Sequence, residues 1–378
     1  MELSNVQNVA LWAFLVGAVF GAVANKTNFC TMGAISDWVN MGNKNRLRAW
    51  FLAIGVAVIG SQLLQSMTAL DLGNSIYLTS NFGWLGHLAG GLIFGIGMTL
   101  ASGCAQRTLV LVGSGNLKSL VVILVLAISA YMTLRGLIAL FRINVIEVTN
   151  IDLTQMEIQN QGIATIIAAF TGIENVTMLT WVVAAIVGLG LIGFAFKSQQ
   201  FRASFDNVLA GISIGIFVTA AWYITGIVGF DDFEPVPLES FTFIAPVGNS
   251  LQYLMTYTGS TINFGIAAVF GVIAGSFLYA ITTGKFRIQT FISRSDMVAH
   301  LIGAALMGFG GVLSLGCTIG QGVTGMSTLA LGSLITLGSI IFGSALTMKV
   351  QYYLMDDQSF LLALRSSLAD MRLMPASR

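Results

Sequence analysis

This sequence predicts an all-α polytopic membrane protein, and three of its features lead to that class. Hydrophobic residues make up 56% of the 378 positions and charged residues only 9%, whereas soluble domains carry about 25% charged residues. Nine apolar runs are long enough to cross a bilayer, which takes roughly 17–25 helical residues. A glycine-rich segment that ends on cysteine also occurs twice, far apart in the chain.

The nine predicted spans are continuous apolar stretches, because a spanning helix pairs its own backbone and shows only side chains to lipid. The first run lacks a basic leader and a small-residue cleavage site, so we expect a retained span rather than a signal peptide. Two further apolar stretches, 161–175 and 241–258, predict short or re-entrant helices. The spans are placed near residues 8–24, 49–70, 83–100, 119–141, 178–196, 208–229, 262–282, 297–313 and 329–347.

The basic residues predict which side of the membrane each connection faces. Of the 17 Lys and Arg residues, 15 fall on one side, in connections 25–48, 101–118, 197–206 and 285–296 or in the tail from residue 348. The opposite side holds 10 of the 16 acidic residues. Because basic loops stay in the cytoplasm, we expect the N-terminus outside and the C-terminus in the cytoplasm. Arg135 falls inside a predicted span, where its charge must be paired or solvated.

The repeated segment relates the two parts of the chain. Residues 87–104 and 300–317 match at 8 of 18 positions without a gap, and both run from a histidine to a cysteine. The predicted topology sends the first copy inward and the second outward, so the repeat is inverted, as in many secondary transporters. We expect one integral membrane domain over 1–378, with a first repeat half 1–142, a connecting region 143–206 and a second repeat half 207–378.

Three cysteines follow the first, third and eighth spans, at points where a helix is expected to break. Glycines in the segments around Cys30, Cys104 and Cys317 permit sharp turns and leave backbone N–H groups uncovered. Irregular backbone at membrane depth is tolerated only where it is buried in protein or lines a polar cavity. We therefore expect the three segments to dip back toward the bilayer centre and meet there.

The place where the three cysteine segments meet, here called the junction, favours one kind of ligand. N–H groups at the N-termini of short helices attract anions, and thiols are weak donors. Backbone donors combined with soft sulfur predict a site for an oxyanion that carries sulfur or selenium. Lys26 is a further source of positive charge. The candidate contacts are Cys30, Cys104, Cys317, Gly103, Gly316, Thr31, Thr318, Gln106, Gln321 and Arg107.

The cysteine segments 28–34 (NFCTMGA), 103–109 (GCAQRTL) and 316–322 (GCTIGQG) resemble those of the YeeE/YedE sulfur-transport family. The resemblance covers nearly the whole chain. It implies a bacterial inner-membrane importer of thiosulfate with an hourglass-like interior. It also implies that the cysteines pass the ion by transient S–H contacts, with Cys104 as the main one. The tail after residue 350 is too short for a fused sulfur-carrier domain, so any such partner is expected to be a separate cytoplasmic protein.

Other functions stay open from the sequence. Some members of the family are linked to selenium or other sulfur species. A membrane thiol oxidoreductase is disfavoured because the chain has no CxxC pair. A soft-metal permease fits thiolate chemistry, but basic residues beside the cysteines favour anions. We therefore expect a transporter rather than an enzyme, with no cofactor or metal ion. The net charge of +1 gives no basis for nucleic-acid binding.

Overall fold

The computed structural model describes residues 4–231, 235–356 and 358–371. Within these ranges the regular secondary structure is helical apart from one antiparallel pair of short strands, β1 (Asn81–Phe82) and β2 (Ile151–Asp152). Nine stretches in the same ranges are long and apolar enough to span a membrane. These findings confirm the predicted class, an all-α multi-pass membrane protein. The helices are α1 (Asn5–Thr27), α2 (Thr31–Met41), α3 (Asn45–Met67), α4 (Gly91–Leu100), α5 (Ala105–Gly113), α6 (Leu117–Arg135), α7 (Leu137–Phe141), α8 (Ile163–Thr171), α9 (Val176–Phe196), α10 (Gln199–Ala203), α11 (Phe205–Tyr223), α12 (Ala245–Met255), α13 (Phe264–Thr282), α14 (Arg294–Leu313), α15 (Leu331–Met355) and α16 (Phe360–Asp370).

Short helical turns extend several of these elements. A π-helical turn, Gly86–Gly90, leads into α4, and two others, Arg142–Ile146 and Ile224–Val228, follow α7 and α11. Helices α8 and α12 occupy the two additional apolar stretches that the sequence predicts. Single 3-10 turns occur at Leu72–Asn74, Glu147–Thr149, Leu153–Met156 and Tyr257–Gly259.

The fourth span ends earlier than its apolar run. Helix α6 stops at Arg135, because Gly136 leaves helical geometry with φ −101° and ψ −159°. The five-residue helix α7 then accounts for the rest of the predicted span. Arg135 is exposed at the end of a helix, so the expectation of a charge in mid-span was wrong.

Helices α1 and α13 pack through glycines spaced four residues apart on both sides. A Cβ atom at Gly21 or Gly275 would overlap the backbone of the facing helix, at Val272 and Ala18 respectively. Close backbone approach of this kind lets membrane helices gain dispersion contacts without a hydrophobic driving force. The interface fixes α1, and with it the Cys30 segment that follows α1, against the second part of the chain.

The two copies of the sequence repeat also pack against each other. A Cβ atom at Gly97 of α4 would lie 2.6 Å from the carbonyl oxygen of Gly303 in α14, and one at Gly310 would lie 2.6 Å from that of Gly90. Gly90 and Gly303 are equivalent in the repeat, as are Gly97 and Gly310. The contact of Gly97 with Gly303 is therefore repeated by the equivalent glycines, Gly310 and Gly90, with the two copies exchanged. The two helices run antiparallel. Such reciprocal packing is what a pseudo-two-fold axis between inverted copies produces.

Candidate functional site

The same backbone turn precedes all three cysteines. Two residues before each cysteine the chain is left-handed, at Asn28 (φ 52°), Ser102 (φ 55°) and Leu315 (φ 59°). The next N–H then donates back to the carbonyl five residues earlier. These bonds run from Phe29 to Ala24 (3.2 Å), from Gly103 to Met98 (3.0 Å) and from Gly316 to Gly311 (2.8 Å). Each turn is thus a Schellman-type helix end, which confirms the predicted break in the helix.

Each cysteine then begins a new helix. Cys30 is the N-cap of α2 and Cys104 is the N-cap of α5, while a helical stretch over 318–327 follows Cys317. The sulfur of Cys30 accepts from the Gly33 N–H, and that of Cys317 from the Gly320 N–H, both at 3.4 Å. The three thiols are therefore held where the partial positive charge of a helix N-terminus lies.

The three segments meet, as the sequence predicts. The Cys104 thiol lies beside the thiol of Cys30 on one side and the hydroxyl of Thr318 on the other. Thr318 is the neighbour of Cys317 in the chain, so the contact brings the third segment to the first two. The cysteines are 7%, 0% and 0% exposed, in chain order. The junction is thus closed in this conformation, and passage of an ion requires at least one of the turns to move.

Each segment brings one polar group that lacks a partner. Within the described part of the chain, Thr31 Oγ1, Gln106 Nε2 and Thr318 Oγ1 are buried and make no hydrogen bond to an oxygen or nitrogen atom; Thr318 has only the Cys104 thiol beside it. Gln106 places its other amide atom, Oε1, 3.9 Å from the Cys104 sulfur. A buried polar group without a partner costs about 1–3 kcal/mol. Three of them beside three cysteines point to a ligand that accepts hydrogen bonds.

Other predicted contacts are already occupied. Gln321 donates to the Ser314 carbonyl and accepts from the Ser333 hydroxyl, both at 2.6 Å. The N–H groups of Gly103 and Gly316 are used within their turns. The side-chain amide of Gln321 and the N–H groups of the two glycines therefore hold the turns in shape and are not free to donate to a ligand.

Positive charge gathers at the Cys30 end of the junction. Arg107 donates to the Asn28 side chain (3.1 Å) and Arg46 to the Asn28 carbonyl (2.8 Å). Lys26 lies instead over the Phe205 ring, 5.4 Å from its centroid. Arg46 was missed by the sequence reasoning, although it falls in the same basic connection as Cys30. Arg46 reaches Asn28 only because the start of α3 folds back against the Asn28 turn.

The segment 239–244 covers the junction at Cys317. The Phe243 N–H and the Thr242 hydroxyl both face the Cys317 sulfur, and Tyr77 packs beside Gly320. Glu239 begins this segment and exerts its charge on Tyr77. Burial raises the pKa of Glu239 to about 7, an effect that the Gly265 N–H partly offsets. The carboxyl therefore changes its charge near neutral pH.

The two repeat histidines are buried within the protein, each 3% exposed. His87 Nδ1 lies 2.8 Å from the Thr336 hydroxyl, and His300 Nδ1 lies 3.1 Å from Asp296. The polar contacts of both ring Nδ1 atoms are thus with residues other than the cysteines. Among the described residues, no group of three or more His, Cys, Asp and Glu side chains is arranged to hold a metal ion.

Comparison of the sequence with known proteins identifies its family. The family model for sulphur transport matches residues 26–346. The thiosulfate transporter TsuA of Escherichia coli is 25% identical over 336 residues, which cover 84% of this chain and 87% of that protein. The thiosulfate transporter TsuA of Spirochaeta thermophila is 23% identical over 337 residues, covering 88% of this chain and 96% of that protein.

Proposed function

This chain belongs to the sulphur-transport family, and on that premise we propose that it imports thiosulfate across the bacterial inner membrane. Two relatives that align with most of the chain bear the name thiosulfate transporter. Membership of a transport family also agrees with the nine apolar stretches that the described residues contain.

One observation carries the proposal, namely the three unpaired polar groups that surround the cysteines. Thr31, Gln106 and Thr318 come from three different segments, and each lies within two residues of a cysteine. A thiosulfate ion has three oxygens that accept hydrogen bonds and a terminal sulfur that suits thiol contacts. Hydrogen bonds to a charged acceptor contribute about 1.5–3 kcal/mol each, enough to offset part of the ion's loss of water.

Cys104 is the proposed central contact, because its thiol lies between Cys30 and the segment of Cys317. The ion would pass from one thiol to the next through transient S–H contacts, and no covalent bond to sulfur is formed or broken. Thr31, Thr318 and Gln106 donate to the oxygens during this passage. Gly103, Gly316 and Gln321 shape the turns that hold these donors in place.

The basic end of the junction is the proposed exit. Arg46 and Arg107 lie beside Asn28, in connections that the positive-inside rule assigns to the cytoplasm. This orientation puts the N-terminus in the periplasm and Glu239 near the outer entrance. A sulfur-carrier protein that collects the ion would approach the Arg46 face. The proposed repeat halves, 1–142 and 207–378, then lie on either side of the path, as the reciprocal glycine contacts suggest.

Import of this ion needs a source of energy. A divalent anion moving against a negative-inside potential of 100 mV faces about 4.6 kcal/mol, from roughly 2.3 kcal/mol per charge. Either proton uptake with the ion or rapid consumption in the cytoplasm would overcome this opposition. The titration of Glu239 near neutral pH makes proton-dependent entry directly testable.

The proposal is tested by uptake of labelled thiosulfate into proteoliposomes that contain the purified full-length protein. We expect uptake above that of empty liposomes, with little inhibition by a tenfold excess of sulfate, which lacks the terminal sulfur. Uptake no faster than in empty liposomes would refute thiosulfate as the substrate. Equal inhibition by sulfate would refute a role for sulfur in selection.

A further inference from the structure

Two of the three cysteines at the junction lie against each other. All three are free thiols, and the side chains of Cys30 and Cys104 are in hydrogen-bond contact. The Cys317 sulfur instead accepts from the Gly320 N–H at 3.4 Å and faces the Thr242 hydroxyl. The junction therefore holds one pair of adjacent thiols and one separate thiol.

The surroundings of Cys30 suit it to attack an oxidant. Its sulfur accepts from the Gly33 N–H at 3.4 Å, at the N-terminus of the 11-residue helix α2. Arg46 and Arg107 act on the same sulfur with their positive charges. A helix N-terminus and nearby arginines stabilise negative charge on a cysteine sulfur, which is the form that reacts.

Solvent reaches Cys30 before it reaches Cys104. The exposed fraction of Cys30 is 7%, whereas Cys104 is fully buried. Cys30 and Arg46 also line a small cavity beside the Asn28 turn. Since oxidation of cysteine follows both thiolate character and exposure, a small oxidant reacts first with Cys30. The Cys104 thiol lies beside the product of that reaction.

We propose that Cys30 and Cys104 form a modification site, at which hydrogen peroxide joins the two sulfurs in a disulfide and thereby stops transport. In the first step the Cys30 sulfur attacks one oxygen of the peroxide. An S–O bond forms and the O–O bond breaks, which leaves a sulfenic acid on Cys30. The departing hydroxide takes up the proton of the Cys30 thiol and becomes water.

The second step uses the neighbouring thiol. The Cys104 sulfur attacks the sulfur of the Cys30 sulfenic acid, the S–S bond forms and the S–O bond breaks. The departing hydroxyl takes the Cys104 proton and leaves as a second water. Two thiols have then lost two electrons, and one peroxide has gained them. The sulfurs approach from contact to the disulfide length of about 2.05 Å, which a small movement of either turn provides.

The disulfide blocks the path in two ways. It removes both S–H groups, so that neither sulfur can donate to an ion. It also ties the turn before Cys30 to the turn before Cys104, whereas passage of an ion requires a turn to move. The loss of transport rests on the proposed function, while formation of the bond depends only on the two thiols.

The bond is detected by mass spectrometry of the purified full-length protein, which is treated with hydrogen peroxide, freed of the excess by catalase and digested without reduction. We expect a linked pair of peptides that carry Cys30 and Cys104. The number of thiols that react with a maleimide after denaturation should fall from three to one, that of Cys317. Three remaining thiols, or a link between a different pair, would overturn the assignment.

Serine variants identify the pair and the order of its reactions. Cys317→Ser is the matched control, because it keeps both adjacent thiols and should form the link as the wild type does. Cys30→Ser should form no link. In Cys104→Ser the second thiol is missing, so the sulfenic acid on Cys30 should persist and react with dimedone. A link in Cys30→Ser at the wild-type rate would overturn the pair, and faster dimedone labelling of Cys104 in Cys30→Ser would overturn the order.

The effect on transport is measured separately in proteoliposomes. Peroxide should slow thiosulfate uptake by the wild type at least tenfold, and dithiothreitol, removed before the assay, should restore it. Restoration assigns the loss to a disulfide, because methionine sulfoxide is repaired only by its own reductases. Unchanged uptake by linked protein would overturn the inhibitory role. Absence of uptake by untreated protein would refute the proposed function, while mass spectrometry would still decide whether the disulfide forms.

Discussion

Replacing Gln106 by methionine separates a ligand contact from a packing residue. Gln106 is fully buried, and its Nε2 atom has no partner in the described part of the protein. Methionine is unbranched and adapts its shape to core gaps, so it fills a similar space without the amide. The change removes a potential donor to thiosulfate but breaks no strong hydrogen bond within the protein.

Gln106→Met is expected to slow uptake without lowering the stability of the protein. Loss of one hydrogen bond to an anion costs about 1.5–3 kcal/mol, which corresponds to roughly 10- to 150-fold slower uptake at low substrate, at about 1.4 kcal/mol per tenfold. The unpaired amide itself destabilises the empty protein by about 1–3 kcal/mol. Gln106→Met should therefore keep or raise the free energy of unfolding while uptake falls.

Gln321→Met is the matched control, because it removes the same amide from a position where both polar atoms are bonded. The Ser314 carbonyl and the Ser333 hydroxyl lose their partners, at about 1–3 kcal/mol for each group left unpaired. This variant should melt at a lower temperature than the wild type.

Both variants are compared by initial uptake rates in proteoliposomes and by thermal unfolding in detergent. A Gln106→Met protein that melts earlier than the wild type yet transports at the normal rate would refute the reasoning. It would show that Gln106 supports the fold and makes no contact with the ion.

Three further predictions follow from other parts of the structure. Because the pKa of Glu239 is raised to about 7 by burial, its carboxyl is neutral below that pH and charged above it. Uptake should therefore fall as external pH rises from about 6 to 8. Glu239→Gln has no carboxyl to titrate, so it should transport equally at both pH values; a variant whose uptake still falls with pH as in the wild type would contradict the assignment. Gly97→Ala should lower the melting temperature, since a Cβ there lies 2.6 Å from the Gly303 carbonyl, whereas Gly190→Ala, with open space around its Cβ, should not; equal melting of the two would contradict the packing argument. Arg46→Met should slow uptake more than Arg46→Lys, measured in proteoliposomes, because only lysine keeps positive charge beside Cys30; equal rates would remove charge as the cause.

The sequence was sufficient to predict the spans, the helix breaks and the meeting of the cysteine segments. Apolar length determines the spans, and a repeated Gly-Cys pair marks two of the breaks. The conformation of the breaks was less accessible. The left-handed residues are Ser102 and Leu315 rather than the glycines that follow them. The N–H that closes a Schellman turn belongs to the residue after the left-handed one, and here that residue is the glycine.

Contacts between distant segments were beyond the reach of sequence reasoning. Tyr77 and Thr242 lie beside the Cys317 segment only because their loops fold over it. The same is true of Gln321, whose partners Ser314 and Ser333 come from opposite sides of its turn. A list of polar residues near a cysteine cannot distinguish donors that are free from donors already bonded, and that distinction decides which of them can bind an ion.

The most direct test of the account compares thiosulfate uptake by wild-type protein with uptake by Cys104→Ala and Cys104→Ser in the same proteoliposomes. Cys104 is fully buried between Cys30 and Thr318, so both variants fit the space and should remain folded, as thermal unfolding would verify. We expect Cys104→Ala to lose nearly all uptake and Cys104→Ser to lose most of it, because a hydroxyl donates but lacks soft sulfur. Uptake by folded Cys104→Ala at the wild-type rate would contradict a path through this thiol.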